Sequence, residues 1–404
     1  MKRLIRPVYE IRWAIISQII LSIGAFGTII VLSRFLNRNI FGEIRYIVAV
    51  LAILSFFSLP GANLIVIQGA SVIGRKRVRQ IIINQLRWGL IATFGALCFS
   101  LFYFLRGNIE FGYGFLVGGF FAPIANLYQM PGSILAGLKR FKSKTFVDGS
   151  IMFAITTGAL IGTFFTRNIF GTLFFYFGGQ SIATLFFLFY IVKNLPKGEV
   201  VDTVEILDIT HSRQLTIFQA PFTLLPALEK IFIFLLLGPS ALAIFVIAVL
   251  PIEHIKNAFR SLLQFSILPF FEDETKIKLS LKKWLGMASL LALGGITVLL
   301  IFLKFFFPIF FPQYTEVSPL IFILTLATVS IPLQILTLAL IASRKIKDLF
   351  LYAGSLTVIN IATFLALIPL FGLMGAVVAK IITEFSTAIL LGVFYKNSQK
   401  LSNY

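Results

Sequence analysis

The sequence predicts an all-α polytopic membrane protein, with about 12 transmembrane helices arranged as two six-helix bundles. Three observations lead there. The mean hydropathy is +0.96 and 58% of the residues are hydrophobic, too apolar for helices that must each keep a polar face in water. Apolar runs long enough to cross a bilayer core of roughly 30 Å recur along the whole chain. Lysine and arginine gather in every second connection between those runs. Lipid offers the backbone no hydrogen-bond partner, so the runs are helices; a barrel would show short alternating segments instead.

The first six spans fall at 13–33, 44–68, 88–105, 112–136, 147–166 and 169–192. The second six fall at 215–237, 240–259, 284–307, 317–342, 349–370 and 373–395. The opening Met1-Lys2-Arg3 imitates a signal peptide, but the apolar run after it is too long for one and reads as the first span. Cys98 is the only cysteine and lies in a span, so no disulfide framework is expected.

Basic residues set the orientation. The N-terminus carries Lys2, Arg3, Arg6 and Arg12; the second loop carries Arg75, Lys76, Arg77, Arg79 and Arg87; the fourth carries Lys139, Arg140, Lys142 and Lys144. The sixth, eighth and tenth loops and the tail continue the series, with Lys256 and Arg260 assigned to the eighth. The intervening loops are short and poor in lysine. By the positive-inside rule both termini are cytoplasmic. A net charge of +19 is thereby explained through orientation and anionic membrane lipids, and nucleic acid is not an expected partner.

The longest polar connection, 193–214, contains Glu199, Asp202, Glu205 and Asp208. It divides the chain into a bundle at 1–192, a cytoplasmic linker at 193–214 and a bundle at 215–404. An even number of spans per half makes this a parallel repeat about an axis along the membrane normal. Echoes such as 138–144 with 342–348 support the duplication, which suggests a transporter with a path between two bundles.

No enzyme motif is present: no Walker loop, no metal-ligand spacing, and only His211 and His254 as histidines. The chain is expected not to be an enzyme and to need no cofactor. Its informative residues are ionisable groups inside spans. Each costs roughly 2.5–3.5 kcal/mol at the bilayer centre, so such groups face the bundle interior or water. They are Glu229 and Lys230 in span seven, Glu253 and His254 in span eight, and Lys380 and Glu384 in span twelve. Lys230 precedes Gly238, and Lys380 follows Gly372, by the same interval, placing both roughly 12 Å below the outer surface. Glu384 shares the face of Lys380 one turn deeper. Pro221 and Pro226 are expected to bend span seven ahead of Glu229. The first half is expected to hold no such charges.

Two readings of the four residues Glu229, Lys230, Lys380 and Glu384 stay open. They form a salt bridge fixing spans seven and twelve, or the lysines attract an anionic headgroup while the carboxylates balance them or bind a coupling cation. Amides in spans, among them Asn63, Asn126, Gln129, Gln180 and Asn360, line a hydrophilic path or join helices. Pro60-Gly61 and Pro131-Gly132 mark hinges or loop ends.

Three segments resemble the polysaccharide-repeat-unit flippases of the multidrug/oligosaccharidyl-lipid/polysaccharide exporter superfamily. Residues 34–43, with Phe41-Gly42, are similar to that family's loop after span one, although Asn37 stands where a glycine is usual. Residues 229–238 resemble its span-seven signature, Glu229-Lys230 replacing an Asp-Arg pair. Residues 369–376, leading to Glu384, are similar to the start of its last span.

The resemblance implies a V-shaped, MATE-like pair of bundles in the bacterial inner (plasma) membrane. It implies a flippase that carries undecaprenyl-diphosphate-linked oligosaccharide, for O-antigen or capsule, by alternating access. Lipid-linked oligosaccharide and membrane lipids are the implied partners, with the pathway's polymerase and chain-length components beside them. Coupling to an H+ or Na+ gradient is open. A cation-coupled multidrug or small-solute exporter shares the fold and would favour an acid-rich cavity in the first half. A membrane-embedded glycan polymerase would need a long outer loop, which the sequence lacks.

Overall fold

The computed structural model describes residues 2–69, 74–195, 209–267 and 346–400, together with parts of 286–336. Every described element is helical, and 8 stretches are long and apolar enough to cross a membrane. The protein is a multi-pass helical membrane protein. The chain forms two compact units, Met1–Ile231 and Phe232–Tyr404. Their junction falls downstream of the 193–214 linker, whose residues 196–208, with all four of its acids, lie outside the described part.

In the first unit the helices are α1 (Lys2–Phe35), α2 (Arg38–Ser55), α3 (Ala62–Gly69), α4 (Arg75–Leu105), α5 (Ile109–Ala125), α6 (Met130–Gly137), α7 (Phe141–Phe165) and α8 (Ile169–Lys193), followed by α9 (Ile209–Leu237), whose last residues from Phe232 onward belong to the second unit. Contact register fixes their directions. Thr145 on α7 donates to the Trp13 carbonyl on α1, and Thr156 to that of Gly24, each 132 residues apart; a constant offset means parallel helices. Thr93 meets Gly119 and Ser100 meets Gly112, so α4 and α5 run antiparallel. Gly114 sits on Ile47 and Gly118 on Leu51, so α2 and α5 are parallel. On α7, Gly162 abuts Thr172 while Ala154 abuts Gly179, so α8 runs back along it. Six spans alternate in direction, as the hydropathy pattern requires.

Two of those spans are broken. The second divides at Leu59, whose φ is +58°, just before Pro60; the fourth divides at 126–129, before Pro131 at the start of α6. A broken helix leaves carbonyls without their usual partners, and hydrocarbon cannot supply one. Gln85 donates to the Leu59 carbonyl at 3.2 Å and Gln180 to that of Ala125 at 3.0 Å. Each amide adds a second donor to a carbonyl that also accepts a backbone N–H, from Ala62 at 3.0 Å and from Tyr128 at 3.2 Å. The second halves, α3 and α6, pack together through Ile65, Val66, Met130 and Ile134.

Three turns share one chemistry. Asn37, Asn108 and Asn168 each accept a hydrogen bond from a first-turn N–H of α2, α5 and α8, which is the ordinary N-cap solution. Asn37 thus has a structural reason to replace the glycine of the resembled loop motif. Outward-facing phenylalanines such as Phe120, Phe153, Phe165 and Phe189 are exposed, as a lipid-facing surface requires.

Basic residues assigned to loops prove to be helical. Helix α4 starts 13 residues ahead of the expected span, so Arg75, Lys76, Arg77, Arg79 and Arg87 lie on it. Lys142 and Lys144 likewise begin α7. Long basic side chains can reach interfacial water from a helical backbone, so a helix continues beyond the apolar run.

In the second unit, α10 (Pro239–Ile267) is followed by partly described stretches, a helical turn α11 (Phe307–Phe310), α12 (Ser318–Leu324), a 3-10 helix (Thr325–Ser330) and α13 (Ile346–Lys400). Span nine is described only in pieces. Helix α13 is two helices joined at Gly372, whose φ of +58° and ψ of −136° interrupt it between the expected spans eleven and twelve. That conformation is nearly confined to glycine. Gly372→Ala is expected to lower stability by about 1–3 kcal/mol, read as a lower unfolding temperature in detergent. A glycine-like temperature would show the turn to be relaxed in solution.

Candidate functional site

The buried charge of the second unit converges on Glu384. This residue lies on the second arm of α13 and is 6% exposed. Lys256 Nζ, on α10, pairs with its Oε1, and the Ser330 hydroxyl, closing the 3-10 helix, donates to Oε2 at 2.6 Å. Both carboxylate oxygens are thus held from other elements. Lys380, one turn earlier on the same arm, acts on the carboxylate through its charge. Two ammonium groups therefore stand within electrostatic reach of one carboxylate, within the apolar length of two candidate spans.

Local structure explains the convergence. Gly372 starts the second arm, and the 3.6-residue repeat puts Lys380 and Glu384 on one face. Beside them Asn360 on the first arm donates to Thr383 at 3.3 Å, tying the two arms. A 3-10 helix projects side chains every third residue, and its last residue, Ser330, is fully buried.

Lys256 corrects its loop assignment: it is a half-buried helical residue and Glu384's ion-pair partner, from span eight. Glu229 and Lys230 lie on α9 in the first unit; Glu229 is 3% exposed and Lys230 is half-buried. The helix runs on through Pro221 and Pro226. Glu253 and His254 are half-buried on α10, just before Lys256.

The first unit also corrects an expectation, because it does hold a buried charge. Asp148 on α7 is 9% exposed; Lys144 pairs with it, and Ser17 on α1 donates to it at 2.9 Å. The Lys144–Asp148 spacing of four was the available signal, masked by the neighbouring basic residues. Asp148 crosslinks α1 to α7 and lies against Gly132 of α6, where a Cβ would strike its carboxylate.

No known family model matches the sequence, and no curated protein matches it. Solved structures do. An inward-facing multidrug resistance MATE family transporter of the MOP superfamily superimposes with a TM-score of 0.67 at 11% identity, covering 97% of this chain and 96% of its own. A MOP superfamily transporter from Pyrococcus furiosus, whose reversed binding-pocket polarity is described as suggesting a different function, gives 0.65 at 12% identity over 97% and 95%. The chain has the MATE transporter fold. An outward-facing multidrug resistance MATE transporter gives 0.60 at 11% identity over 97% and 95%. At such identities the MATE fold carries across and the binding chemistry does not, so the chemistry must come from this chain's own residues.

Proposed function

We propose that this chain is a flippase for undecaprenyl-diphosphate-linked oligosaccharide, working by alternating access in the bacterial inner membrane with both termini cytoplasmic. The observation that carries the reading is the cluster of Lys256 and Lys380 around Glu384. Lys256 and Lys380 both act on Glu384, and ammonium groups are the groups that recognise an anionic headgroup. A diphosphate cannot cross hydrocarbon unshielded, whereas its prenyl tail is at home there. The segments resembling repeat-unit flippases, 34–43, 229–238 and 369–376, add their weight.

A cation-coupled multidrug exporter is the second reading, favoured by the likeness to multidrug resistance MATE transporters. Reconstitution separates the two. Vesicles carrying the protein and a fluorescent prenyl-diphosphate oligosaccharide should show protein-dependent translocation, and Lys230→Ala and Lys380→Ala should each lower it by about tenfold or more without changing the unfolding temperature. Full transport by both variants would remove the headgroup role. Transport of cationic dyes without lipid-linked sugar would select the exporter. Collapsing ion gradients tests coupling: an unchanged rate means passive flipping.

A further inference from the structure

The first unit contains a second basic feature, remote in sequence from Glu384. A groove of about 680 Å³ opens between α4 and α8. On α4 its lining residues are Arg75, Lys76, Arg79, Ile82, Ile83 and Leu86; these spacings trace one helical face. On α8 they are Leu185, Leu188, Phe189, Val192 and Lys193, again one face.

The two faces are graded alike. Antiparallel packing puts the start of α4 beside the end of α8, so Arg75, Lys76, Arg79 and Lys193 surround one mouth. No acid lines the groove among the described residues. Gly74 caps α4 without a side-chain acceptor, so the helix terminus adds positive potential to the arginines. Beyond the mouth every lining residue is apolar, over about 6 Å from Ile82 to Leu86 on α4 and about 10 Å from Leu185 to Val192 on α8 at the helical rise. Buried Leu127 lies at the floor, while Phe189, 72% exposed, leaves the side open to lipid.

We propose that this groove is a loading site for a single-chain diphosphate lipid, with the headgroup at the four cations and the chain along Ile82, Ile83, Leu86, Leu185 and Phe189. This rests on the flippase reading above. Charge selects the headgroup: four cations, with no carboxylate among the described lining residues, exceed what one phosphodiester needs and match a diphosphate. Shape selects the chain, because a slot bounded by two helices suits one chain better than the pair on a bilayer phospholipid. The mouth lies at the end carrying the sorted basic residues, expected at the cytoplasmic face, where basic pockets between spans bind lipid headgroups.

Native mass spectrometry of the full chain in neutral detergent tests the site with geranylgeranyl diphosphate, geranylgeraniol, inorganic diphosphate and dioleoylphosphatidylglycerol as separate probes. The wild type should retain geranylgeranyl diphosphate about tenfold or more better than the other three, and Arg75→Gln/Arg79→Gln/Lys193→Gln should lose that preference. Equal binding by the variant overturns the site, as does a preference for the two-chain phospholipid. A photoreactive geranylgeranyl diphosphate on the wild type covers the case of a variant that fails to fold. It should label 82–86 and 185–189, and labelling elsewhere overturns the site. The two readings fail separately: a labelled groove without vesicle translocation defeats the flippase, and translocation without groove labelling defeats only the loading site.

Discussion

Glu384→Ala is expected to destabilise the second unit by about 3–5 kcal/mol and to abolish transport, the usual cost of removing one member of a buried ion pair. Lys256 would be left half-buried against a cavity, and the Ser330 hydroxyl would lose its acceptor. The paired variant Lys256→Met/Glu384→Leu should recover most of the stability, since apolar replacement of a whole buried pair is often neutral or favourable. It should not recover transport. Unfolding in detergent and vesicle translocation, measured on both variants, separate packing from function. If the paired variant transports normally, the cluster is only a crosslink between α10 and α13, and the headgroup moves elsewhere.

What the sequence disclosed of this site follows from how far each signal reaches. Lys380 and Glu384 are four apart on one helix, so periodicity alone places them together. Lys256 is 128 residues from Glu384, and no local pattern predicts that pairing; charge sorting instead swept Lys256 into a loop. Asp148 was hidden in the opposite way. It is the second residue of its expected span, shortly after Lys142 and Lys144, where any acid resembles a solvated end.

The fold was more legible because its signals are local. Hydropathy located α8 within a residue, since polar turns close it at Arg167-Asn168 and Asn194. It set α4 and α7 too short, because basic residues at an interface keep helical geometry after hydropathy has fallen. Pro60-Gly61 and Pro131-Gly132 announced breaks. The contacts of Gln85 and Gln180 with these breaks come from distant elements, so no local pattern predicts them.

Gly158→Leu is expected to prevent α7 and α8 from packing, with loss of folded protein from the membrane. A Cβ at Gly158 would fall on the carbonyl of Phe175, and backbone cannot swing aside as a side chain can. The seam is built throughout for that closeness: Gly162 would set a Cβ 2.7 Å from the Thr172 Cα, and Gly179 one 2.7 Å from the Ala154 carbonyl. In lipid there is no hydrophobic drive to bring helices together, so close packing at small residues supplies the attraction. Ordinary overpacking costs about 1–3 kcal/mol; here the strain also separates the surfaces that hold the pair. Gly354→Ala and Gly392→Ala are the controls, because a Cβ at either meets nothing within 4 Å. Each should leave stability unchanged or raise it by up to about 1 kcal/mol, the helical preference of alanine. Yield of monodisperse protein and unfolding temperature read both effects. A well-folded Gly158→Leu variant would mean that α8 is held by α5 and the Gln180 contact at Ala125 rather than by the glycine seam.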